Sequence, residues 1–144
     1  MSKINKIKGR QVFDSRGNPT VEAEIFTENG HYASAIVPSG ASTGTHEAFE
    51  LRDTDNKSYL GKSVLIAVEN INTVISKTLN NYDIFDQKKI DQALIDLDGT
   101  TQKKKIGANT ILAVSIASSK LAAISKNISL FKYLGGPKCN QLPI

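Results

Sequence analysis

The chain has 144 residues and a formal net charge of +4 at pH 7, with 40% hydrophobic and 22% charged residues. This is the length of one ordinary domain, which buries about 68–70% of the surface of its unfolded chain. The hydrophobic and charged fractions lie near globular averages, and this excludes a disordered chain and a fibrous repeat. We therefore expect a folded domain with one core.

Several function classes are disfavoured by composition. Uninterrupted apolar runs such as residues 111–114 are far shorter than the ~18 residues of a membrane span. The charged N-terminal segment is followed by no apolar region of the kind that a cleaved signal requires. Cys139 is the only cysteine, and with His31 and His46 it is too little for a disulfide or a structural zinc site. The sequence thus predicts a cytoplasmic protein without a membrane span.

The positive charge is concentrated in the second half. Residues 1–72 carry 8 basic and 9 acidic side chains, a balance of −1, whereas residues 73–144 carry 10 and 5, a balance of +5. The densest point, residues 103–105, has no interleaved aromatic side chain on which bases could stack. We expect a solvated lysine-rich loop there and no specific nucleic-acid partner.

The first third of the chain is β-rich. Residues 20–26 alternate apolar and acidic side chains, as a half-buried antiparallel strand does. Asn29-Gly30 indicates a type I′ turn into a second strand over residues 31–37. A turn-forming cluster at residues 15–19 separates this hairpin from an earlier strand near residues 6–13. Three strands in this order predict a meander.

From Ser63 onward apolar residues recur at helical spacing. We expect Ser63 to be the N-cap of a first helix that ends at Asn80. A second helix is expected between Asp86 as N-cap and Gly99 in the left-handed conformation beyond its C-terminus. The apolar faces of these two helices comprise Val64, Val68, Ile71, Ile75 and Leu79, and Ile90, Ala93, Leu94 and Leu97.

A third helix, residues 108 to about 126, is apolar on nearly every side and is expected to be buried all round. A short last helix is expected from Ser129 as N-cap to Gly135. Strands followed by three to four helices indicate an α+β fold with helices on one face of the sheet. So small a sheet offers few neighbours to the apolar third helix, which suggests that a second domain is missing.

Two phosphate- or metal-binding motifs are approached but not completed. The run at residues 61–63 resembles a P-loop, but Asn56 stands where that motif needs a glycine. Residues 53–57 start like a calcium loop, but Ser58 and Val64 stand in place of its glycine and its bidentate glutamate. We interpret the carboxylates within residues 53–57, Asp53 and Asp55, as solvated turn residues.

Residues 96–100 read Asp-Leu-Asp-Gly-Thr, which resembles the nucleophile motif of haloacid-dehalogenase-type phosphatases. That motif should leave a buried strand, so that the first carboxylate attacks a phosphoryl group. Here it ends an amphipathic helix, and its residues fit capping and packing. We therefore interpret it as a helix end.

Residues 38–44 form a run of small residues after the last strand. One interpretation is a flexible linker. The other is a mobile lid, because small side chains let the backbone approach a ligand closely. The residue types alone favour neither.

Four segments together resemble the N-terminal domain of enolases. They are residues 14–22 (DSRGNPTVE), 38–44 (PSGASTG), 50–53 (ELRD) and 107–109 (GAN). They occur in the family's order along essentially the whole chain, and the Asp-Leu-Asp-Gly-Thr segment falls where enolases carry a similar helix end. The resemblance implies a capping domain over residues 1–139 and, at residues 140–144, the start of a linker into a barrel domain that this chain lacks.

The resemblance implies the lyase phosphopyruvate hydratase, which dehydrates 2-phosphoglycerate to phosphoenolpyruvate in glycolysis with two Mg²⁺ ions. Divalent cations and a lysine or histidine base suit the dianionic enolate of this superfamily. In the family the base, the acid and the carboxylate ligands lie on the barrel. We therefore expect no catalytic residue in this chain, which alone should be inactive.

The site residues implied by the resemblance are a lid loop and part of a dimer interface. The lid comprises Ser39, Gly40, Ala41, Ser42, Thr43 and Gly44. Ser42 matches the family's ligand of the second Mg²⁺, and Arg10 and Glu22 match residues at the interface of a homo-oligomer, dimeric or higher. For this pair, an ordinary charged strand face is the alternative. A cytoplasmic location is implied, and cell-surface display would be compatible with it.

A second hypothesis is a truncated, stand-alone module that binds protein or RNA without catalysis. The coding sequence beyond Ile144 distinguishes the two. An open frame into a barrel would indicate the enzyme, and a stop codon would favour the module.

Overall fold

The computed structural model describes residues 2–40, 44–54, 57–137 and 139–140. Its sheet has three antiparallel strands in the order β1-β2-β3. These are β1 (Ile4–Phe13), β2 (Pro19–Thr27) and β3 (Tyr32–Val37). The predicted meander is confirmed.

Helices make up most of the remainder. A short 3₁₀ helix (Ser58–Gly61) precedes α1 (Leu65–Asn70), a π-helical segment (Ile71–Ile75) and α2 (Ser76–Leu79), which follow one another without a break. They are followed by α3 (Gln87–Asp98), α4 (Ala108–Ser125) and α5 (Leu130–Gly135). The α+β class is therefore confirmed, and the described residues contain no barrel.

The core lies between the sheet and the helices. Inward side chains of β2 such as Val21, Ala23 and Ile25 are fully buried, and α4 packs against β2 and β3. By length and composition alone α4 could cross a membrane, but half of it is buried inside the domain, as expected of a core helix. The expectation that α4 is buried all round is wrong, since Leu112 and Ile124 are about half exposed on its outer side.

The π-helical segment lies close against the edge strand β1. The backbone N–H of Gly9 donates to Asn72 Oδ1 at 2.8 Å, and Asn72 Nδ2 donates to the Gly9 carbonyl at 3.2 Å. A Cβ atom at Gly9 would lie 2.9 Å from Ile71 Cβ, so glycine permits this approach. The amide of Asn72 thus occupies backbone groups that an edge strand otherwise leaves unpaired.

The helix caps differ in part from expectation. Asp86 and Gly99 cap α3 as predicted, and Ser129 occupies the N-cap position of α5 without a side-chain capping bond. Ser63 is not the N-cap of α1: that position is held by Val64, which makes no side-chain cap. Instead the Ser63 hydroxyl donates to Gln11 Oε1 at 2.8 Å.

The cap of α1 comes from Asp53, outside the helix. The backbone N–H groups of Leu65 and Ile66 donate to its two carboxylate oxygens at 2.7 and 2.9 Å. Asp53 is only 4% exposed. The interpretation of this carboxylate as a solvated turn residue is therefore wrong, because the free N–H groups of the helix end supply its hydrogen bonds.

The hairpin turn between β2 and β3 also differs. Gly30 has a φ of 81°, whereas Asn29 is not among the residues with positive φ. The Gly30 N–H donates to the Thr27 carbonyl at 3.1 Å, and the Thr27 N–H donates to that of His31 at 2.9 Å. This is a three-residue loop with one left-handed glycine, and the predicted type I′ turn, which needs two such residues, is wrong.

Candidate functional site

Arg52 joins several of the four segments that the sequence singled out. Its Nη1 donates to the carbonyl oxygens of Pro19, at 3.1 Å, and of Lys62. Its Nη2 donates to the Ser39 hydroxyl and, at 2.8 Å, to Glu50 Oε1. Only 17% of the Arg52 side chain is exposed. One guanidinium thus connects the start of β2, the loop after β3 and the approach to α1.

Ser39, the first residue of the predicted lid loop, is held from two sides. Its hydroxyl donates to Glu50 Oε1 and accepts from Arg52. Its backbone carbonyl accepts a hydrogen bond from Arg16 Nη2 at 2.8 Å. The hydroxyl and the carbonyl of Ser39 are therefore both engaged by charged side chains.

The turn between β1 and β2 orients Arg16. Asp14 Oδ1 accepts from the backbone N–H groups of Arg16 and Asn18 at 2.8 and 2.9 Å. Donation from Asn18, and to a lesser extent from Arg16, holds the pKa of Asp14 below its ordinary value. Gly17 supplies a φ of 75°, which few other residues tolerate. The charged carboxylate thus fixes the turn that carries Arg16 towards Ser39.

The segments at residues 50–53 and 107–109 lie against each other. The Leu51 N–H donates to Asn109 Oδ1 at 3.1 Å, and Asn109 Nδ2 donates to the Leu51 carbonyl at 3.0 Å. Gly107 has a φ of 90°, and a Cβ atom there would lie 2.5 Å from Leu51 Cβ. Glycine is required at this position both for its backbone conformation and for the close approach.

The far end of the predicted lid is closed by a separate turn. The Gly44 N–H donates to Glu47 Oε2 at 2.9 Å, and the Glu47 N–H donates to the Gly44 carbonyl at 3.1 Å. An open pocket of about 220 Å³ lies between Ser39, Glu47, Glu50 and the first turn of α4 at Asn109. The two ends of the loop therefore flank a concave surface.

The predicted metal ligand cannot be placed here. Three members of the lid, Ala41, Ser42 and Thr43, lie outside the described residues. Among the residues that are described, no group of three or more His, Cys, Asp or Glu is arranged to hold a metal ion. The carboxylates of Glu47 and Glu50 accept hydrogen bonds from this chain itself. The described residues alone therefore do not fit a magnesium site.

The structure brings Arg10 and Glu22 together on the outward face of the sheet, as cross-strand partners. Arg10 Nη1 lies 3.3 Å from Glu22 Oε2, and Nη2 contacts Glu24. The hydrogen bond from Arg10 holds the pKa of Glu24 below its ordinary value. The chain thus contains an ion-pair cluster here, and the role of Arg10 and Glu22 between subunits stays a prediction.

The Asp-Leu-Asp-Gly-Thr segment forms a closed loop. Asp98 is 3% exposed, and Asp96 is exposed and accepts from Gln92 at 2.7 Å. The Asp98 carboxylate accepts from the Thr100 hydroxyl and from the backbone N–H groups of Thr100, Lys105 and Ile106 at 3.0, 3.0 and 2.8 Å. Burial opposes the charge of Asp98, but these donors outweigh it and hold its pKa below the ordinary value. The segment ends a helix, as interpreted.

Comparison with known proteins now bears on the four segments. Residues 4–134 match the family model described as the N-terminal domain of enolase. The chain belongs to the enolase N-terminal domain family. The enolase of Pelagibacter ubique (strain HTCC1062) is 64% identical over 132 residues, which are 92% of this chain and 31% of that relative. This enolase domain thus spans about a third of the length of the curated relative that it matches.

Sequence reasoning assigned no role to Glu50 and Arg52, although both lie in a segment that carries the enolase resemblance. A signal was present, because residues two apart share one face of an extended chain. A glutamate and an arginine at that spacing could have been predicted to pair. The contact of both side chains with Ser39 could not have been predicted, since it depends on the direction in which the chain leaves β3.

Proposed function

We propose that this chain is the N-terminal part of an enolase-type lyase that dehydrates 2-phosphoglycerate to phosphoenolpyruvate in glycolysis. The observation that carries the proposal is the family match over residues 4–134. The contacts that join three of the family-like segments at Ser39 and Arg52, and the fourth to Leu51, support it. The domain division proposed with it is a capping domain over residues 1–139 and a linker that begins at residue 140.

The contribution that we propose for this chain is a lid, residues 39–44, beside the pocket at Glu47 and Glu50. Small residues in such a loop let its backbone approach a ligand and exclude water. Arg16 and Arg52 hold the first residue of the loop from two sides. We assign general acid and base to the part of the longer protein outside this chain, so residues 1–144 alone should not turn over substrate.

Magnesium is the cofactor that we propose for the complete enzyme. Bound Mg²⁺ would supply positive charge to stabilise an enolate dianion. It prefers carboxylate, phosphate and water oxygens in octahedral arrangement, so Ser42 would supply one neutral oxygen and residues outside this chain the carboxylates. The isolated chain is then expected to bind no Mg²⁺.

We further propose a cytoplasmic homo-oligomer, a dimer or larger, in which Arg10 and Glu22 lie at the subunit interface. The position of both charges on the outward face of the sheet supports this, because charged side chains that face a second subunit can set the register of an interface. Reversal of all three charges of the cluster by Arg10→Glu, Glu22→Arg and Glu24→Arg would keep the ion pairs within the chain and alter its contacts with a second copy, so the complete protein should dissociate into smaller species. Sedimentation of the complete protein measures the result.

The proposed activity is tested on the complete protein, whose coding sequence must continue past residue 144. Absorbance of phosphoenolpyruvate in the ultraviolet should rise with 2-phosphoglycerate and Mg²⁺, and should stay flat without the metal. Turnover by residues 1–144 alone would contradict the proposal that the general acid and base lie outside this chain. A stop codon directly after Ile144 would contradict the enzyme and leave a binding module.

The assignment of Ser42 predicts that Ser42→Ala in the complete enzyme lowers kcat and raises the Mg²⁺ concentration for half activity, each by about tenfold. Thr45→Ala is the matched control, since it removes a hydroxyl from the exposed chain just beyond the lid. Ser39→Ala is less suited as a control, because that hydroxyl contacts Glu50 and Arg52. Equal effects of Ser42→Ala and Thr45→Ala would contradict the assignment of Ser42 as a Mg²⁺ ligand.

A further inference from the structure

The Ser39 hydroxyl occupies the centre of a three-residue arrangement. It donates to Glu50 Oε1 and accepts from Arg52 Nη2, while Arg52 Nη2 also donates to the same Glu50 oxygen at 2.8 Å. Hydrogen bonds with ionised partners are about twice as strong as neutral ones. The position of Ser39 is therefore tied to that of the Arg52 guanidinium.

Arg52 is itself held by backbone groups of two other segments. Its Nη1 donates to the carbonyl of Pro19, the first residue of the central strand β2, and to that of Lys62, which directly follows the 3₁₀ helix and lies three residues before α1. The Pro19 carbonyl moves only with its strand. A planar guanidinium that serves four acceptors also has one orientation, which the point charge of a lysine would not define.

We propose that Arg52 is a positioning residue that fixes the N-terminal root of the loop at residues 39–44 by holding the Ser39 hydroxyl. The carbonyl acceptors at the start of β2 and before α1 fix the position of the guanidinium, and the guanidinium in turn fixes Ser39 at the start of the loop. Its kinetic consequence rests on the proposed function of this chain. The alternative is an ordinary Arg52–Glu50 ion pair that stabilises the domain without regard to Ser39.

A double-mutant cycle separates these two roles. If Arg52 acts through Ser39, Arg52→Met and Ser39→Ala remove the same interaction, and the double variant is no worse than the more severe single one. Contacting residues show such coupling, whereas independent sites add. Lys62→Met is the matched control: its amino group contacts Asn18 at 3.1 Å in the same area, and its effect should multiply with that of Ser39→Ala.

The first readout does not depend on the activity. Hydrogen exchange of the backbone amides of Ile36, Val37, Ser39 and Gly40 in the complete protein should accelerate about tenfold in Arg52→Met. Ser39→Ala should produce a similar acceleration, and the double variant no further one. Arg52→Lys, which keeps the charge, should give an intermediate rate, and it also serves if Arg52→Met fails to fold.

The second readout is the rate of phosphoenolpyruvate formation. Arg52→Met and Ser39→Ala should each lower kcat about tenfold, with a change of KM of about twofold at most, and the double variant should match the worse of them. The proposal would be overturned if the effects of Arg52→Met and Ser39→Ala multiplied in both readouts. It would also be overturned if Arg52→Met left the hydrogen-exchange rates unchanged. A wild-type protein without activity would instead refute the proposed function, and the exchange cycle would still decide the role of Arg52.

Discussion

Asp98, the last residue of α3, and Glu50, which contacts Ser39 at the root of the predicted lid, are carboxylates in contrasting surroundings. Asp98 is 3% exposed, and its hydrogen bonds come from residues two to eight positions further along the chain. Glu50 has a side chain that is 34% exposed, and it is held by the side chains of Arg52 and Ser39. One carboxylate closes its own loop, while the other connects separate segments beside a pocket.

This difference teaches where a functional site can be sought in the domain. Backbone donors that are close in sequence form a rigid, closed arrangement whose energy is part of the stability of the fold. Side-chain donors from distant segments can be altered one at a time, and such sites often lie on loops positioned by a rigid scaffold. The motif that resembled a phosphatase nucleophile belongs to the first kind, and the loop root at Ser39 belongs to the second.

The largest expected effect is that of Asp98→Ala on stability. It should lower the free energy of unfolding of the 144-residue chain by about 4 kcal/mol, because three backbone N–H groups, one of them on the buried Ile106, and the Thr100 hydroxyl lose a charged acceptor. Urea unfolding followed by circular dichroism measures it. Asp96→Asn, in the same motif but exposed, should change the free energy by less than about 0.5 kcal/mol. Equal losses would show that the Asp98 loop is not closed as described.

The same carboxylate predicts a pH dependence. The pKa of Asp98 is lower in the folded chain than in the unfolded one, so its stabilisation is complete above about pH 4 and is lost as the pH falls through the folded pKa. Asp98→Ala should therefore weaken the dependence of stability on pH below about pH 4. An unchanged dependence would mean that other carboxylates account for it.

The next largest effect is expected for Gly107→Ala. The φ of 90° and the Leu51 Cβ atom, 2.5 Å from the added methyl, should together cost about 3 kcal/mol. Gly30→Ala is the control, since that glycine also has positive φ but nothing within 4 Å of the added atom. A similar loss in both variants would assign the effect to backbone conformation alone.

The fold could be predicted from the sequence where local pattern determines structure. The alternation at residues 20–26 and the apolar stripe from Val64 to Leu79 correspond to β2 and to the helical run from Leu65 to Leu79. The π-helical segment within that run was not predicted, because it lies where Asn72 pairs with Gly9, 63 residues away in sequence. Periodicity carries no information about such a distant partner.

The candidate site was predictable to a similar degree. The resemblance singled out four segments, and the structure places them in contact through Arg52, Ser39, Leu51 and Asn109. The cap of α1 shows why the remainder was missed. A serine directly before a helix is the usual cap, but Ser63 binds Gln11 instead, and the carboxylate of Asp53 reaches the helix from 12 residues upstream.

The capping of α1 by Asp53 instead of Ser63 gives a further prediction. Asp53→Ala should destabilise the 144-residue chain by about 2 kcal/mol, because two N–H groups at the start of α1 lose their acceptor. Ser63→Ala should cost about 1 kcal/mol, since it removes one hydrogen bond between neutral groups. Urea unfolding ranks the two variants. A larger loss of unfolding free energy for Ser63→Ala than for Asp53→Ala would indicate that the serine caps α1, and would contradict the observed arrangement.

The smallest effect is expected for Arg16→Gln, which alters an exposed contact at the root of the predicted lid. Arg16 is about half exposed and makes one hydrogen bond to the Ser39 carbonyl, at 2.8 Å, and a long ion pair with Asp14, at 3.6 Å. Water can replace a contact of this kind, so the free energy of unfolding should change by less than about 0.5 kcal/mol. Arg52→Gln, which loses bonds to several acceptors while only 17% exposed, should cost about 2 kcal/mol. If both substitutions cost the same in urea unfolding, the loop root is as closed as the Asp98 loop, and the distinction between the two regions fails.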